Sequence, residues 1–153
     1  MILRNYEHKD CDEIYKLFYD TVHSINAKDY SKNQLAVWAK KGIDSKIFCK
    51  SFIENYTIIV EENRKILGFG NVDDSGYLDM LYVHKDFQHK GIATMIVSKL
   101  ETYTLQNNIQ SIKTHASITV RPFFEKRGYI IIKEQQVIRD NIYLTNYIME
   151  KLL

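Results

Sequence analysis

Cysteine, proline and glycine are scarce in this sequence of 153 residues, with two, one and six copies. So little glycine and proline excludes collagen-like and low-complexity chains. The two cysteines, Cys11 and Cys49, form no CxxC motif and belong to no Cys/His cluster with zinc-ligand spacing, so we expect reduced core thiols and no metal site. The sequence has no apolar run of the roughly 20 residues that cross a bilayer, and its first ten residues contain no apolar export segment. It therefore predicts a cytoplasmic protein without a membrane partner.

The charges of the two signs nearly cancel. The sequence has 21 lysines and arginines against 19 aspartates and glutamates, a formal net charge of +2. This excess is too small to favour nucleic acid as a partner, because nucleic acid is bound mainly through clustered basic residues that contact phosphates. With 45% apolar residues and no linker or repeat, the sequence predicts one globular domain over residues 1–153.

Helical patterns dominate the N-terminal third, after a short predicted strand over residues 1–6. Apolar residues recur every three or four positions in residues 14–25, which predicts an amphipathic helix. Asp10 with Glu13 predicts a capping box at its start, and Ser31 with Gln34 predicts the same arrangement at the start of a second helix. A third short helix is predicted over residues 44–55.

The pattern changes to strands at residue 56. Runs rich in β-branched and aromatic residues predict an antiparallel meander over 56–61, 65–73 and 77–83. A long helix from Gly91 joins the last of these strands to a strand at 111–116, so those two strands should be parallel neighbours. A short helix containing Pro122 and an antiparallel pair, 129–137 and 143–151, complete an α+β order with helices on both faces of a mixed sheet.

The segment from residue 77 to residue 93 carries the most chemical information. A strand leads into a basic loop with Gly91 that begins a helix, so unpaired backbone N–H groups and the positive end of the helix dipole meet at one place. Gly91 has no Cβ to keep a phosphate away from the backbone, and Lys90 adds positive charge. The sequence contains neither GxxxxGK[ST] nor GxGxxG, which excludes the Walker A loop and the dinucleotide fingerprint. It predicts an anion site at the start of this helix.

This loop resembles the signature (Q/R)-x-x-G-x-(G/A) of the GNAT superfamily of acyl-CoA-dependent N-acyltransferases, which Gln88-His89-Lys90-Gly91-Ile92-Ala93 matches. The segment from Phe124 to Tyr129 is similar to the family's aromatic-E-K-x-G-aromatic segment, and the order of elements agrees over nearly the whole chain. The resemblance implies a mixed, mostly antiparallel sheet of about seven strands with a V-shaped cleft between the fourth and fifth strands. It also implies acetyl-CoA as the donor.

The resemblance further implies which residues hold the donor. The backbone of the fourth strand would bind the pantetheine arm, and the loop and first turn of the next helix would hold the pyrophosphate. Phe124 stands where many members carry a tyrosine that protonates the leaving thiolate, so we expect it to be a wall of the site for the arm. The predicted cofactor-binding residues are Leu81, Tyr82, Val83, Gln88, His89, Lys90, Gly91, Ile92, Ala93, Thr94 and Phe124.

Asp79, His115 and Ser117 are the predicted catalytic residues. Asp79 is a carboxylate within an otherwise apolar strand, a costly position unless it is hydrogen-bonded or useful, so it is either a general base or a structural aspartate. His115 and Ser117 share one face of the strand that should form the other wall of the cleft. A neutral imidazole there could accept a proton from an amine, or His115 could be an ordinary core histidine.

The first two helices line the acceptor site in proteins that this sequence resembles. His23, Asp29, Tyr30 and Trp38 lie in that region, and their acidic and aromatic groups would suit a cationic amine, although Trp38 could equally serve helix packing. We predict an N-acetyltransferase, monomer or homodimer, that transfers acetyl from acetyl-CoA to a primary amine of a small molecule or protein. Because Phe124 cannot donate a proton, the alternative is a catalytically weak or inactive acyl-CoA-binding module.

Overall fold

The computed structural model describes residues 1–153, which form seven strands and five α-helices. Their bounds are β1 (Ile2–Asn5), α1 (Cys11–Ser24), α2 (Lys32–Trp38), α3 (Ser45–Glu54), β2 (Tyr56–Glu62), β3 (Lys65–Val72), β4 (Tyr77–Val83), α4 (Ile92–Gln106), β5 (Ser111–Ser117), α5 (Arg121–Lys126), β6 (Ile130–Arg139) and β7 (Ile142–Leu152). Short 3-10 helices cover His8–Asp10 and Asn26–Lys28. None of the α-helices has the length and hydropathy of a membrane-spanning segment.

All seven strands belong to one mixed sheet in the order β1-β2-β3-β4-β5-β7-β6. Every neighbouring pair is antiparallel except β4 and β5, which are parallel and joined by α4. The predicted α+β fold, the meander and the crossover are confirmed. One apolar core lies between the sheet and α4, and a second lies between the sheet and α1 to α3, so helices cover both faces.

The strands β4 and β5 separate after a short paired start. Their register contains only Tyr77 opposite Lys113 and Leu78 opposite Thr114, whereas β5 pairs with β7 over its whole length from Ser111 to Ser117. The predicted V-shaped opening between the fourth and fifth strands is therefore confirmed, and it leaves backbone groups of β4 without a partner on that side.

A β-bulge marks the point where β4 leaves β5. Leu78 lies opposite Val72 and Met80 lies opposite Asn71, so Asp79 is the extra residue of the bulge. The side-chain Oδ1 of Asn71, a fully buried residue, accepts a hydrogen bond from the Met80 N–H at 2.9 Å and takes the place of a regular sheet hydrogen bond. Bulges bend a strand and redirect side chains, and this one directs Asp79 toward the cleft.

The helix α4 lies close against β3 because two glycines of that strand leave room for it. A Cβ added at Gly70 would lie 2.7 Å from Cγ2 of Ile96 and 3.0 Å from the Met80 carbonyl oxygen. Both distances are shorter than normal van der Waals contact, and one of the atoms is backbone that cannot rotate away.

The substitution Gly70→Val should therefore destabilise the fold. Overpacking of a core costs typically 1–3 kcal/mol, and we expect about 3 kcal/mol or more here because a backbone atom must move. Chemical denaturation measures the loss as a lower midpoint. Lys65→Val at the exposed start of the same strand is the control and should change the free energy of unfolding by less than about 1 kcal/mol; equal stability of the two variants would contradict this packing.

One predicted capping box is confirmed and the other is wrong. The Ser31 side chain accepts from the Gln34 N–H and the Gln34 side chain accepts from the Ser31 N–H. Asp10 does not cap α1: its carboxylate accepts two hydrogen bonds from Arg4, each at 2.8 Å, and one from the Glu7 N–H. A bidentate arginine is the stronger partner.

The expectation of reduced thiols is also wrong. Cys11 at the start of α1 and Cys49 in α3 form a disulfide with their Cα atoms 6.0 Å apart. The packing of α1 on α3 brings together residues that are 38 positions apart, which spacing in the sequence could not show. The bond closes a loop that contains α1, α2 and the link between them.

Candidate active site

A cavity of about 620 Å³ occupies the opening between β4 and β5. Its walls come from both strands, the loop before α4, the start of α4, the α1–α2 link and α5. Cavities of this size accommodate cofactors and small substrates.

Backbone N–H groups gather at the α4 end of the cavity. Gly91 has a φ of +80° and His89 a φ of +59°, a left-handed conformation that favours glycine. Nothing lies within 4 Å of a Cβ built on Gly91, no side chain caps the helix, and the first helical hydrogen bond runs from the Met95 N–H to the Gly91 carbonyl. The N–H groups of the first turn are thus free for an anion, and Ile92, Ala93 and Thr94 line the cavity there.

Gln88 fixes the conformation of this loop through its side-chain amide. Its amide Nε2 donates to the Val83 carbonyl at 2.8 Å and to the His84 carbonyl at 3.3 Å, which fastens the loop to the end of β4. Lys90 is exposed at the rim of the loop and is not a lining residue, whereas Lys126 of α5 lines the cavity. Lys126 was missed because the parallel strand pair, not sequence proximity, brings α5 beside the loop.

The predicted residues of the pantetheine site divide between the two faces of β4. Leu81 and Val83 pack with the α4 core and line the cavity, as does Phe124, which is only 1% exposed. Tyr82 points the other way: its ring packs on Phe18 with centroids 4.9 Å apart, in the core beneath α1. Tyr82 also borders the cavity, so the structure moves it from the predicted cofactor side to the side of the first helices.

Asp79, Tyr77 and His115 lie close together near the point where β4 and β5 separate. The rings of Tyr77 and His115 make an edge contact at 5.1 Å between centroids, and Nε2 of Gln135 lies 3.4 Å from Nδ1 of His115. Asp79 and His115 both line the cavity. The structure therefore brings together two of the three predicted catalytic residues.

The surroundings of this cluster shift its proton affinities. Burial in the cleft raises the pKa of Asp79 above its ordinary value and the Asp73 carboxylate raises it further, while Arg139 and His115 oppose the shift. The Asp79 side chain keeps solvent contact through the open cleft, which limits the size of the shift. Burial lowers the pKa of His115, so its imidazole is neutral at pH 7. Burial and Asp79 raise the pKa of Tyr77 to about 12, which keeps its hydroxyl protonated.

Ser117 lines the cavity but also has a structural task. Its Oγ accepts a hydrogen bond from the Val120 N–H at 3.2 Å, in the turn that leads to α5. The hydroxyl proton itself remains available as a donor.

Three of the four predicted acceptor residues make structural contacts and do not line the cavity. His23 Nε2 lies 2.8 Å from the Ala39 carbonyl, and Asp29 accepts a hydrogen bond from Thr119 Oγ1 at 2.8 Å. The Tyr30 hydroxyl donates to the Thr145 carbonyl and accepts from the Ile118 N–H. These contacts join distant segments, so the sequence could not reveal them, and only Trp38 of the four lines the cavity.

The structure adds polar lining residues that the sequence did not single out. Thr21, Asn26 and Lys28, from the end of α1 and the link to α2, border the cavity. The Thr21 hydroxyl donates to the Val83 carbonyl at 3.0 Å, which ties α1 to the end of β4. These three residues form no recognisable sequence motif, so only the packing of α1 on β4 in the structure reveals that they line the cavity. No three His, Cys, Asp or Glu side chains lie close enough to hold a metal ion.

Comparisons with known proteins all match N-acetyltransferases. A family model described as "Acetyltransferase (GNAT) domain" matches residues 26–151. The uncharacterized N-acetyltransferase YafP of Escherichia coli (strain K12) is 26% identical over 147 residues, which cover 96% of this chain and 93% of that protein.

Solved structures show the same fold. A GCN5-related N-acetyltransferase from Rhodopseudomonas palustris superposes with a TM-score of 0.95 at 28% identity, with 99% of this chain and 95% of that chain covered. The PaiA N-acetyltransferase from Thermoplasma acidophilum, solved in complex with coenzyme A, gives a TM-score of 0.82 at 14% identity, with 99% and 98% covered.

Proposed function

Because the chain belongs to the GNAT acetyltransferase family and is an acyltransferase, we propose that it transfers an acetyl group from acetyl-CoA to a primary amine in the β4–β5 cavity. The observation that carries the proposal is the free N-terminus of α4, with Gly91 in a left-handed conformation and open space where a side chain would be. The complexes of coenzyme A with PaiA and of acetyl-CoA with yncA from Salmonella typhimurium, both of the same fold, support this choice of donor.

The donor would lie along the cavity with its pyrophosphate at the start of α4. Its pyrophosphate would accept hydrogen bonds from the N–H groups at Ile92, Ala93 and Thr94, where the helix dipole also favours negative charge. The pantetheine amides would pair with the backbone of Leu81 and with the Val83 N–H, because β5 has left that side of β4. The Val83 carbonyl already accepts from Gln88 and Thr21. Phe124 would close the apolar side of the arm.

The chemistry would take place where β4 and β5 part. The amine nitrogen forms a bond to the acetyl carbonyl carbon, the carbon–sulfur bond breaks, and the sulfur leaves as the coenzyme A thiolate. Asp79, directly or through water, would take the proton that the amine loses, with the neutral His115 imidazole beside it. A β4 N–H would stabilise the oxyanion.

The protonation of the leaving thiolate has fewer candidates in this chain. Phe124 has no proton to give, and the nearest hydroxyl on the α5 side is that of Ser117, whose oxygen already accepts from Val120. We propose that Ser117 or a water supplies this proton. A thiolate is a weaker base than the primary amine that displaces it, so it can leave first and take its proton from water afterwards.

Release of free thiol from acetyl-CoA tests the activity. We expect the purified chain to release thiol in the presence of amines, with one acetylated amine formed for each thiol. The alternative of an inactive acyl-CoA-binding module rests on Phe124 alone; it predicts bound acetyl-CoA but no thiol above the uncatalysed rate with any amine.

A further inference from the structure

A polar side chain of the α1–α2 link lines the cavity without a hydrogen-bond partner in the chain. Asn26, in the α1–α2 link, is only 6% exposed and lines the cavity. Its carboxamide makes no hydrogen bond within the chain. The enclosed side-chain atoms that lack a partner belong to Tyr6, Asn71 and Asn146, so the Asn26 amide is not sealed in the core but open to the cavity. The side chain is therefore placed to bind something that enters the cavity.

Lys28 lies two residues further along the same link and also lines the cavity. Its ammonium group has no carboxylate within ion-pair distance. Asp29, the acidic residue beside it, accepts a hydrogen bond from the Thr119 hydroxyl and does not line the cavity. The link therefore presents an amide and a positive charge to the cavity, and no negative charge.

Asp79 is the only acidic side chain among the lining residues. It lies on β4, where we propose that the amine loses its proton. An acceptor with several positive charges would meet one carboxylate and the Lys28 ammonium, which repels it. An acceptor with one amine and one carboxylate would find a partner of opposite charge for each.

Resting on the proposed acetyl-CoA activity, we propose that the acceptor is an amine that carries a carboxylate, such as an amino acid, with its amino group at Asp79 and its carboxylate at Asn26 and Lys28. Lys28 gives a charge-assisted contact and Asn26 donates a hydrogen bond from its amide nitrogen. This class replaces the cationic amine that Asp29 and Tyr30 suggested in the sequence, since both residues have structural partners.

Matched amines test the proposal through thiol release from acetyl-CoA. The probes are L-amino acids and 4-aminobutanoate, the carboxamide of each, and ethane-, propane- and butanediamine. We expect kcat/KM for the best aminocarboxylate to exceed that for its carboxamide and for every diamine by about tenfold or more, the size of one charge-assisted hydrogen bond.

Two variants and two controls assign that preference to the link. Lys28→Met should remove the preference for carboxylate over carboxamide, and Asn26→Leu should lower kcat/KM for both about tenfold. Neither should change the affinity for acetyl-CoA, measured by calorimetry. Lys32→Met and Asn33→Leu, at exposed positions of α2, should behave as wild type.

Several results would overturn the acceptor class. These are a preference for diamines or carboxamides, no turnover of any aminocarboxylate by a protein that binds acetyl-CoA, or weaker acetyl-CoA binding in Lys28→Met with the preference unchanged. Each of them leaves the proposed donor standing, whereas an absence of acetyl-CoA binding in the wild type refutes both proposals.

Discussion

Gly91→Glu should abolish measurable acetyl-CoA binding while the protein stays folded. The new side chain occupies the open space beside the helix N-terminus and brings a negative charge to the place where we put the pyrophosphate. The residue must also hold a φ of +80°, which costs a residue with a Cβ about 1–2 kcal/mol. We expect the dissociation constant in calorimetry to rise about 100-fold or more, equal to about 2.7 kcal/mol.

Gly42 supplies a matched control for this experiment. It has a φ of +71°, and a Cβ built on it has nothing within 4 Å, so Gly42→Glu carries the same backbone strain and the same added charge. Gly42 does not line the cavity. Its variant should lose similar stability and keep wild-type affinity for acetyl-CoA. Equal affinity for acetyl-CoA in the two variants would show that the loop is not part of the binding site.

Asp79→Asn should lower kcat at pH 7 by about 100-fold to 10,000-fold, the usual contribution of a general base. In the wild type, activity should rise with pH as Asp79 loses its proton. Because burial raises the pKa of this carboxyl, the increase in activity should occur at a pH above the ordinary range of aspartate pKa values. Asparagine cannot titrate, so the low-pH limb should disappear, and a pH–rate profile of kcat/KM measures both effects.

Stability should move in the opposite direction from activity. A raised pKa in the folded state means that the fold disfavours the charged carboxylate. The free energy of unfolding therefore decreases as the pH rises through the range in which Asp79 loses its proton. Asp79→Asn removes it, and its melting temperature at pH 7 should equal or exceed that of the wild type. Asp74→Asn, in the exposed turn before β4, is the control. Normal turnover with an unchanged profile would make Asp79 a structural residue of the bulge.

The sequence predicted those parts of the fold that depend on local patterns. The apolar face of α4 and the β-branched and aromatic runs of β2 to β4 lie within a few residues of the observed bounds, because both signals are local. The strands β2 and β3 are buried on both faces, so their composition predicts them without alternation. The parallel pairing of β4 with β5 also followed, since a helix joins the two strands. The cleft between them was implied by the resemblance to the GNAT superfamily, and the anion site at Gly91 stays a prediction from the strand, loop and helix.

The misses depend on contacts that the sequence pattern does not show, several of them between residues far apart in the chain. Arg4 takes the Asp10 carboxylate away from the helix start, and the packing of α1 on α3 pairs Cys11 with Cys49. Asn71 completes the bulge that redirects Asp79. Tyr30 belongs to this group as well, since both bonds of its hydroxyl go to β7 and the end of β5. In each case a tertiary partner decides what the side chain does.

A crystal structure of the protein with coenzyme A tests the central claim most directly, because it locates the donor. We expect the pyrophosphate on the N–H groups at residues 91–94, the pantetheine arm between β4 and β5 beside Leu81 and Val83, and the sulfur on the Asp79 side of the opening. Coenzyme A bound at any other surface, with the β4–β5 cavity occupied by water alone, would contradict the account.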